Sequence, residues 1–228
     1  MIVSHQHRFI FIKTQKTAGT SIEMALSSIC GATDIISAIS PIDEKNRINH
    51  GSRSAQNFYI PFSSYSIKDF VRLILKRKRK KYYSHMSAAE IKKALPTKIW
   101  DSYFKFTIER NPFDKMVSLY FWRKGDEKYG NIYDFLTKGG FTRFKGSKIY
   151  LINNEIAVDK VYQFEELPYM LEDLNRRLTL EKSLTLGSYR AKSKSRKSID
   201  YKSVIDSKSK KIIEEMFKDE ICRFNYKY

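Results

Sequence analysis

The chain has 228 residues, with 43 Lys and Arg against 25 Asp and Glu and a formal net charge of +18. Hydrophobic residues at 42% and aromatics at 14% supply a packed core and exclude global disorder, and no apolar run approaches the ~18–20 residues that span a bilayer. Two cysteines, Cys30 and Cys222, are too few for a disulfide framework or a Cys-based zinc ribbon and point to a reduced, intracellular setting.

The first seven residues lack the basic region and apolar stretch of a signal peptide, and His5 and His7 are expected to fray. Phe9-Ile10-Phe11-Ile12, followed by a polar turn, predicts a buried strand. Thr20-Ser21-Ile22-Glu23 reads as a capping box opening a helix, with Ile22, Ala25, Leu26 and Ile29 on one face and Gly31 as its stop. Residues 32–65 carry little periodicity and read as an excursion, a lid or an acceptor loop. Ser66 then caps a helix with the apolar stripe Ile67, Phe70, Val71, Ile74 and Leu75. The unbroken cationic run Lys76–Lys81 follows it, where cations suit a helix C-terminus.

Ser87-Ala88-Ala89-Glu90 is a further capping box, whose helix buries Ile91, Ala94 and Leu95 and ends at Pro96. Tyr103–Ile108 predicts a second core strand. Asn111 caps the next helix, with Pro112 at its first position and Phe113, Met116, Val117, Tyr120 and Phe121 facing inward. A short helix over 133–138, a strand over 158–164, a helix over 165–178 and a last helix over 207–217 complete the list. Strands alternating with helices predict an α/β layered fold with a largely parallel sheet, in which ligands sit at the carboxyl ends of strands. No internal repeat or linker divides the chain, which reads as one domain over 1–228.

Two strand-to-helix turns carry distinctive chemistry. In Lys13-Thr14-Gln15-Lys16-Thr17-Ala18-Gly19-Thr20-Ser21, a glycine in a loop feeding a helix offers backbone N–H groups to an anion, and Thr17, Thr20 and Ser21 add hydroxyl donors. Lys16 precedes Gly19, whereas a nucleotide-hydrolysing P-loop places its lysine after the last glycine. In Glu109-Arg110-Asn111-Pro112, Arg110 stands at a strand end where its guanidinium can clamp a phosphate, and Ser118 lies about two helical turns further on. Taken singly, the first segment has an ordinary capped helix as its alternative, and an arginine placed like Arg110 is more often a structural ion pair.

Taken together, Lys-Thr-Ala-Gly-Thr-Ser and Arg-Asn-Pro-x-x-x-x-x-Ser resemble the motifs of sulfotransferases that use 3′-phosphoadenosine-5′-phosphosulfate. The similarity is to the carbohydrate branch, with its heparan-, chondroitin- and Nod-factor-like members. Tyr103–Ile108, Val161–Leu167 and Phe224-Asn225-Tyr226 resemble family landmarks as well; Gln15 departs from a frequent proline and Lys115 from a frequent arginine. The resemblance implies a P-loop-like three-layer α/β fold with a central, mostly parallel sheet flanked by helices. It implies that Lys16, Thr17, Ala18, Gly19, Thr20 and Ser21 cradle the 5′-phosphosulfate, that Arg110 and Ser118 hold the 3′-phosphate, and that a basic Ser-rich loop with Lys194, Ser195 and Arg196 closes over the nucleotide. The product is 3′,5′-adenosine bisphosphate, and no metal is required.

Sulfuryl transfer needs a base near neutral pKa, for which histidine is the default. Of His5, His7, His50 and His85, His85 leads into a capped helix, and in the family it resembles a histidine at the matching position takes the acceptor's proton. The expected acceptor is a hydroxyl on a carbohydrate, with the positive charge pointing to an acidic one and Tyr82, Tyr83, Trp122 and Tyr129 available to stack on sugar faces. The expected setting is cytoplasmic, in a soluble prokaryotic or viral enzyme. Two rival classes are a phosphotransferase of related fold, which would need magnesium, and a non-catalytic basic module that binds polyanions. Nucleic acid is not an expected partner of the leading reading.

Overall fold

The structure, a computed structural model, describes residues 1–181, 183–186 and 199–228. Lys194, Ser195 and Arg196 lie outside the described residues. The elements run β1 (Ile2–Ser4), β2 (Phe9–Phe11), α1 (Gly19–Ser27), β3 (Ile35–Ile36), α2 (Pro41–Asn49), α3 (Ile67–Lys76), α4 (Ala88–Ala94), α5 (Thr97–Ser102) and β4 (Phe104–Glu109). They continue with α6 (Pro112–Trp122), α7 (Gly125–Tyr129), α8 (Ile132–Thr137), β5 (Leu151–Ile152), β6 (Glu155–Ile156), β7 (Lys160–Gln163), α9 (Leu167–Arg177), α10 (Ser207–Met216) and α11 (Lys218–Phe224).

One sheet of order β3-β1-β2-β4-β7 forms the middle layer. β2, β4 and β7 run parallel, with Phe11 opposite Phe106 and Ile108 opposite Tyr162. β1 and β3 complete that side of the sheet in antiparallel pairing. Strand alternation assigns the faces. Phe9, Phe11, Phe106, Ile108 and Tyr162 pack against Ile22 and Leu26 of α1 and Met170 and Leu174 of α9. Val3, Ile10 and Ile12 pack on the other side against Ile91 and Ala94 of α4 and Trp100 of α5. Each such fully buried side chain contributes about 1.5–3 kcal/mol. The expected α/β three-layer architecture therefore stands, with a third apolar cluster joining α6, α8 and α10 through Phe113, Met116, Phe135 and Ile213.

Several local expectations change. The N-terminal segment does not fray: β1 is buried, the His5 ring nitrogen Nδ1 lies 3.0 Å from the Tyr103 hydroxyl, and His7 Nε2 lies 3.0 Å from the Ile29 carbonyl. Thr20 does not cap α1. The cap is Ala18 in a left-handed conformation, φ 55°, with no side-chain hydrogen bond, because Glu23 is drawn instead into a buried ionic cluster. The 32–65 excursion contains β3 and α2, the latter capped by Ser40 with Pro41 at its start. Its inward residues are Asp43 and Arg47, so no apolar stripe announced it. The boxes at Ser66 with Asp69 and at Ser87 with Glu90 form as expected. Among the described residues, no helix is long and apolar enough to cross a membrane.

Candidate active site

β2 and β4 are neighbours in parallel, so the turns leaving their carboxyl ends emerge side by side. Two hydroxyl contacts pin them together and a third braces the first turn. Thr107 Oγ1 donates to the Ile12 carbonyl at 2.7 Å. Thr14 Oγ1 donates to the Ile108 carbonyl, which uses its only proton. Thr17 Oγ1, 2.9 Å from Thr14 Oγ1, is then the donor of that pair. Thr17 is fully buried, so its hydroxyl is committed inside the turn.

Lys16 and Ala18 both take positive φ, 65° and 55°, which brings the chain sharply round into α1. The first-turn amides of a helix lack intrahelical partners, and α1 carries no acidic residue there. Its N-terminus thus keeps its positive end uncompensated by a neighbouring carboxylate. Gly19 is required by close approach: a Cβ there would meet Lys13 Cγ at 2.8 Å. The Lys13 side chain passes Gly19 to reach Glu23, Nζ to Oε2 2.6 Å.

Glu23 also receives the Met1 amine at 2.9 Å and the Ser37 hydroxyl at 3.1 Å, with Arg47 Nη2 at 3.6 Å. Burial opposes its ionisation, but Lys13, the terminal ammonium and Arg47 outweigh burial and bring its pKa down to about 2. This cluster sits beneath the turn and fixes β2, α1 and α2 to one another.

At the second turn, the Arg110 Nη1 donates to the Lys16 carbonyl at 3.0 Å. Its Nε donates to Asp114 Oδ2 at 2.7 Å, with Nη2 on the same carboxylate. The guanidinium carbon lies 4.2 Å from the Phe164 ring centroid, at the end of β7. Behind it, Glu109 is held by buried Lys115 and by the Tyr150 hydroxyl at 2.9 Å, and it accepts from the Arg110 amide at 2.9 Å. Lys115, the departure from arginine, is therefore an internal counter-ion. Asp114, Ser118 and Trp122 follow at four-residue spacing along one stripe of α6. Asp114 grips Arg110, and Lys16 Nζ lies 5.2 Å from the Trp122 ring centroid. Half-buried Ser118 lies between them on that stripe.

His85 lies against the first turn from the other side, with Nδ1 3.1 Å from the Lys13 carbonyl. A carbonyl only accepts, so Nδ1 bears the proton and Nε2 the lone pair. Burial, helped by the Lys13 charge, lowers its pKa to about 4, so the ring is neutral at physiological pH. Lys145, which the sequence reading missed, bridges the parts. Its amide donates to Gln15 Oε1 at 2.8 Å and its Nζ to the His85 carbonyl at 3.2 Å. No spacing signal marks a lysine 60 positions from its partner. Gln15, the departure from proline, thus has a contact of its own.

A cavity of about 990 Å³ is lined by Tyr83 and Met86 on one side and by Arg72, Arg79, Lys81 and Lys93 among others; His85, the chain neighbour of Met86, is not part of its lining. Its carboxylates are occupied: Asp69 by Lys80 at 2.8 Å, and Glu90 by the Tyr83 hydroxyl at 2.6 Å. Of the aromatics named from the sequence, Tyr83 and Trp122 are exposed, whereas Tyr82 is core and Tyr129 packs on Phe135.

The arrangement can hold a polyanion along Lys16, the α1 N-terminus and Arg110, with a neutral imidazole at one end. A model of the sulfotransferase family matches residues 1–173, from β1 into α9. No curated protein and no solved structure matches the chain.

Proposed function

The chain belongs to the sulfotransferase family, enzymes that move sulfuryl groups and generally take them from 3′-phosphoadenosine-5′-phosphosulfate, and on that premise we propose that it sulfates a carbohydrate hydroxyl from this donor within one domain spanning 1–228. The observation that carries the reading is the contact between Arg110 and the Lys16 carbonyl. It holds the turn after β4 against the turn after β2, which supports a ligand that engages both.

In this reading, Lys16, the backbone amides of Thr17 to Thr20 (Ala18 and Gly19 included) and the hydroxyls of Thr20 and Ser21 receive the 5′-phosphosulfate. Arg110 and Ser118 receive the 3′-phosphate. The acceptor oxygen attacks sulfur, the bond from sulfur to the bridging oxygen breaks, and its electron pair leaves on the 5′-phosphate. Lys16 offsets the charge growing on that phosphate, and preorganised electrostatic help of this kind is worth about 3–4 kcal/mol. His85 Nε2 takes the acceptor's proton. The cationic cavity beside Tyr83 receives the acceptor, which favours a sugar bearing carboxylate or sulfate groups.

The test is thermal unfolding with 3′,5′-adenosine bisphosphate in the absence of magnesium. At about 100 times its Kd the ligand stabilises the fold by about 2.7 kcal/mol. An equal response to AMP would remove the 3′-phosphate site. A radiolabelled-sulfate transfer screen across neutral and acidic glycans, lipids and phenols then identifies the acceptor.

A further inference from the structure

α3 is the one helix of more than eight residues, among those described, with no buried residue. Its apolar stripe faces outward: Ile67 is 83% exposed, Ile74 and Leu75 are each 75% exposed, and Phe70 and Val71 remain open beside them. The helix is held from its opposite side. Asp69 pairs with Lys80 at 2.8 Å, the Tyr65 hydroxyl accepts from the Lys80 amide at 2.7 Å, and Leu73 is half-buried. Phe70 meets Tyr65 and Phe62, which extends the exposed apolar surface to Phe62. An outward stripe of this kind marks an interaction surface.

The charge around the stripe selects the occupant. On a 100° wheel, Lys68, Arg72 and Lys76 border the apolar arc on one side, and Arg77–Lys81 continues from the helix C-terminus. The segment 67–81 holds eight Lys and Arg and a single acidic residue, Asp69, which is already paired. A strongly amphipathic helix with aliphatic and Phe residues on one face and Lys and Arg along its flank lies in the plane of a lipid interface. Two copies facing each other through this stripe would bring two such cationic segments together, which disfavours self-association.

We propose that α3, with the basic run behind it, is a peripheral docking surface for an anionic lipid bilayer. The apolar arc enters the headgroup boundary, and Lys68, Arg72 and Lys76 extend to the phosphates at its edge. Arg72 also lines the cavity beside Tyr83, so docking turns the mouth of that cavity toward the membrane surface. The proposal does not rest on sulfuryl transfer, and its test reads no turnover.

The test is co-sedimentation of the full chain with vesicles of phosphatidylcholine containing about one third phosphatidylglycerol, against phosphatidylcholine alone. The expected result is binding to the anionic vesicles, at least about tenfold weaker for neutral ones and weakening with salt. Ile74→Asp with Leu75→Asp places charge in the apolar arc and abolishes binding; both side chains are exposed, so the fold is kept, checked by an unchanged melting temperature. Lys68→Gln with Lys76→Gln weakens binding by about tenfold or more. Absence of binding to anionic vesicles overturns the proposal. So does binding that survives Ile74→Asp with Leu75→Asp, which would mean attraction by net charge alone. A concentration-dependent dimer in sedimentation that this double variant dissolves would assign the stripe to a second copy and overturn it as well.

Discussion

The Arg110 guanidinium donates to the backbone carbonyl of Lys16 at 3.0 Å across 94 positions of sequence. The tie joins the turn after β4 to the turn after β2 by a side chain gripping a main-chain atom. Its geometry is therefore independent of where the Lys16 side chain points. Asp114 fixes the guanidinium in plane, and Phe164 covers one face of it.

Arg110→Ala removes both this tie and the proposed 3′-phosphate contact. Charge-assisted hydrogen bonds contribute about 1.5–3 kcal/mol. The expected loss of affinity for 3′,5′-adenosine bisphosphate by calorimetry is about 10–100-fold, with AMP affinity changed far less. Arg110→Lys keeps the charge but loses the planar fork and recovers little. Equal losses for the two nucleotides would place Arg110 in a purely structural role.

Lys16→Ala leaves the carbonyl that Arg110 grips, so it isolates the ammonium. At φ 65° alanine bears the same backbone strain as lysine, which keeps the turn comparable. The expected outcome is a fall in single-turnover rate of about 100- to 1000-fold, with nucleotide binding weakened only modestly. Unchanged turnover would take Lys16 out of the mechanism.

The strand–turn–helix units were legible because each is local. Phe9–Phe11 alternates between two cores, and Asn111-Pro112 caps α6 as its sequence predicts. What brings the units together was not local. The adjacency of β2 and β4, and so of the two turns, depends on pairing across an intervening stretch that contributes β3 and the five helices α1 to α5. The capping-box reading at Thr20 failed for the same reason. Glu23 has the right spacing, but Lys13 in the turn after β2 and Arg47 of α2 claim its carboxylate. α2 escaped notice because its inward positions are Asp43 and Arg47 rather than aliphatic residues. A Ser-Pro start with acidic residues in the first turn was the signal that marked it. Lys145 joined the site through Gln15 and His85, contacts that no periodicity encodes.

Glu23→Gln tests the cluster under the first turn. Glu23 is fully buried, Lys13 is 4% exposed at its side chain and Arg47 is 0% exposed. Arg47 Nε and Nη2 have no hydrogen-bond partner among the described residues, and the guanidinium is compensated by Glu23, 3.6 Å from Nη2, together with Glu44, 3.3 Å from Nη1. Removing one member of a buried pair costs about 3–5 kcal/mol. Urea unfolding should show a midpoint lowered accordingly with an unchanged slope. A loss below about 1 kcal/mol would mean that water or rearrangement replaces the carboxylate.

His85 gives the clearest pH dependence. Burial and the Lys13 charge hold its pKa at about 4, below the ordinary 6.5. Its contribution to stability is complete above pH 6.5. Between there and pH 4 the unfolded chain takes up a proton that the folded chain refuses, so stability falls as pH falls. His85→Gln should flatten this part of the urea-midpoint profile relative to the parent chain. A base near pKa 4 is weak at neutral pH, and a bound polyanion at Lys16 and the α1 N-terminus favours the imidazolium and raises it. Proton NMR of the ring should therefore show a midpoint near 4 without ligand and a higher one with 3′,5′-adenosine bisphosphate. A midpoint that the nucleotide leaves in place would separate His85 from the anion site and end its assignment as the base.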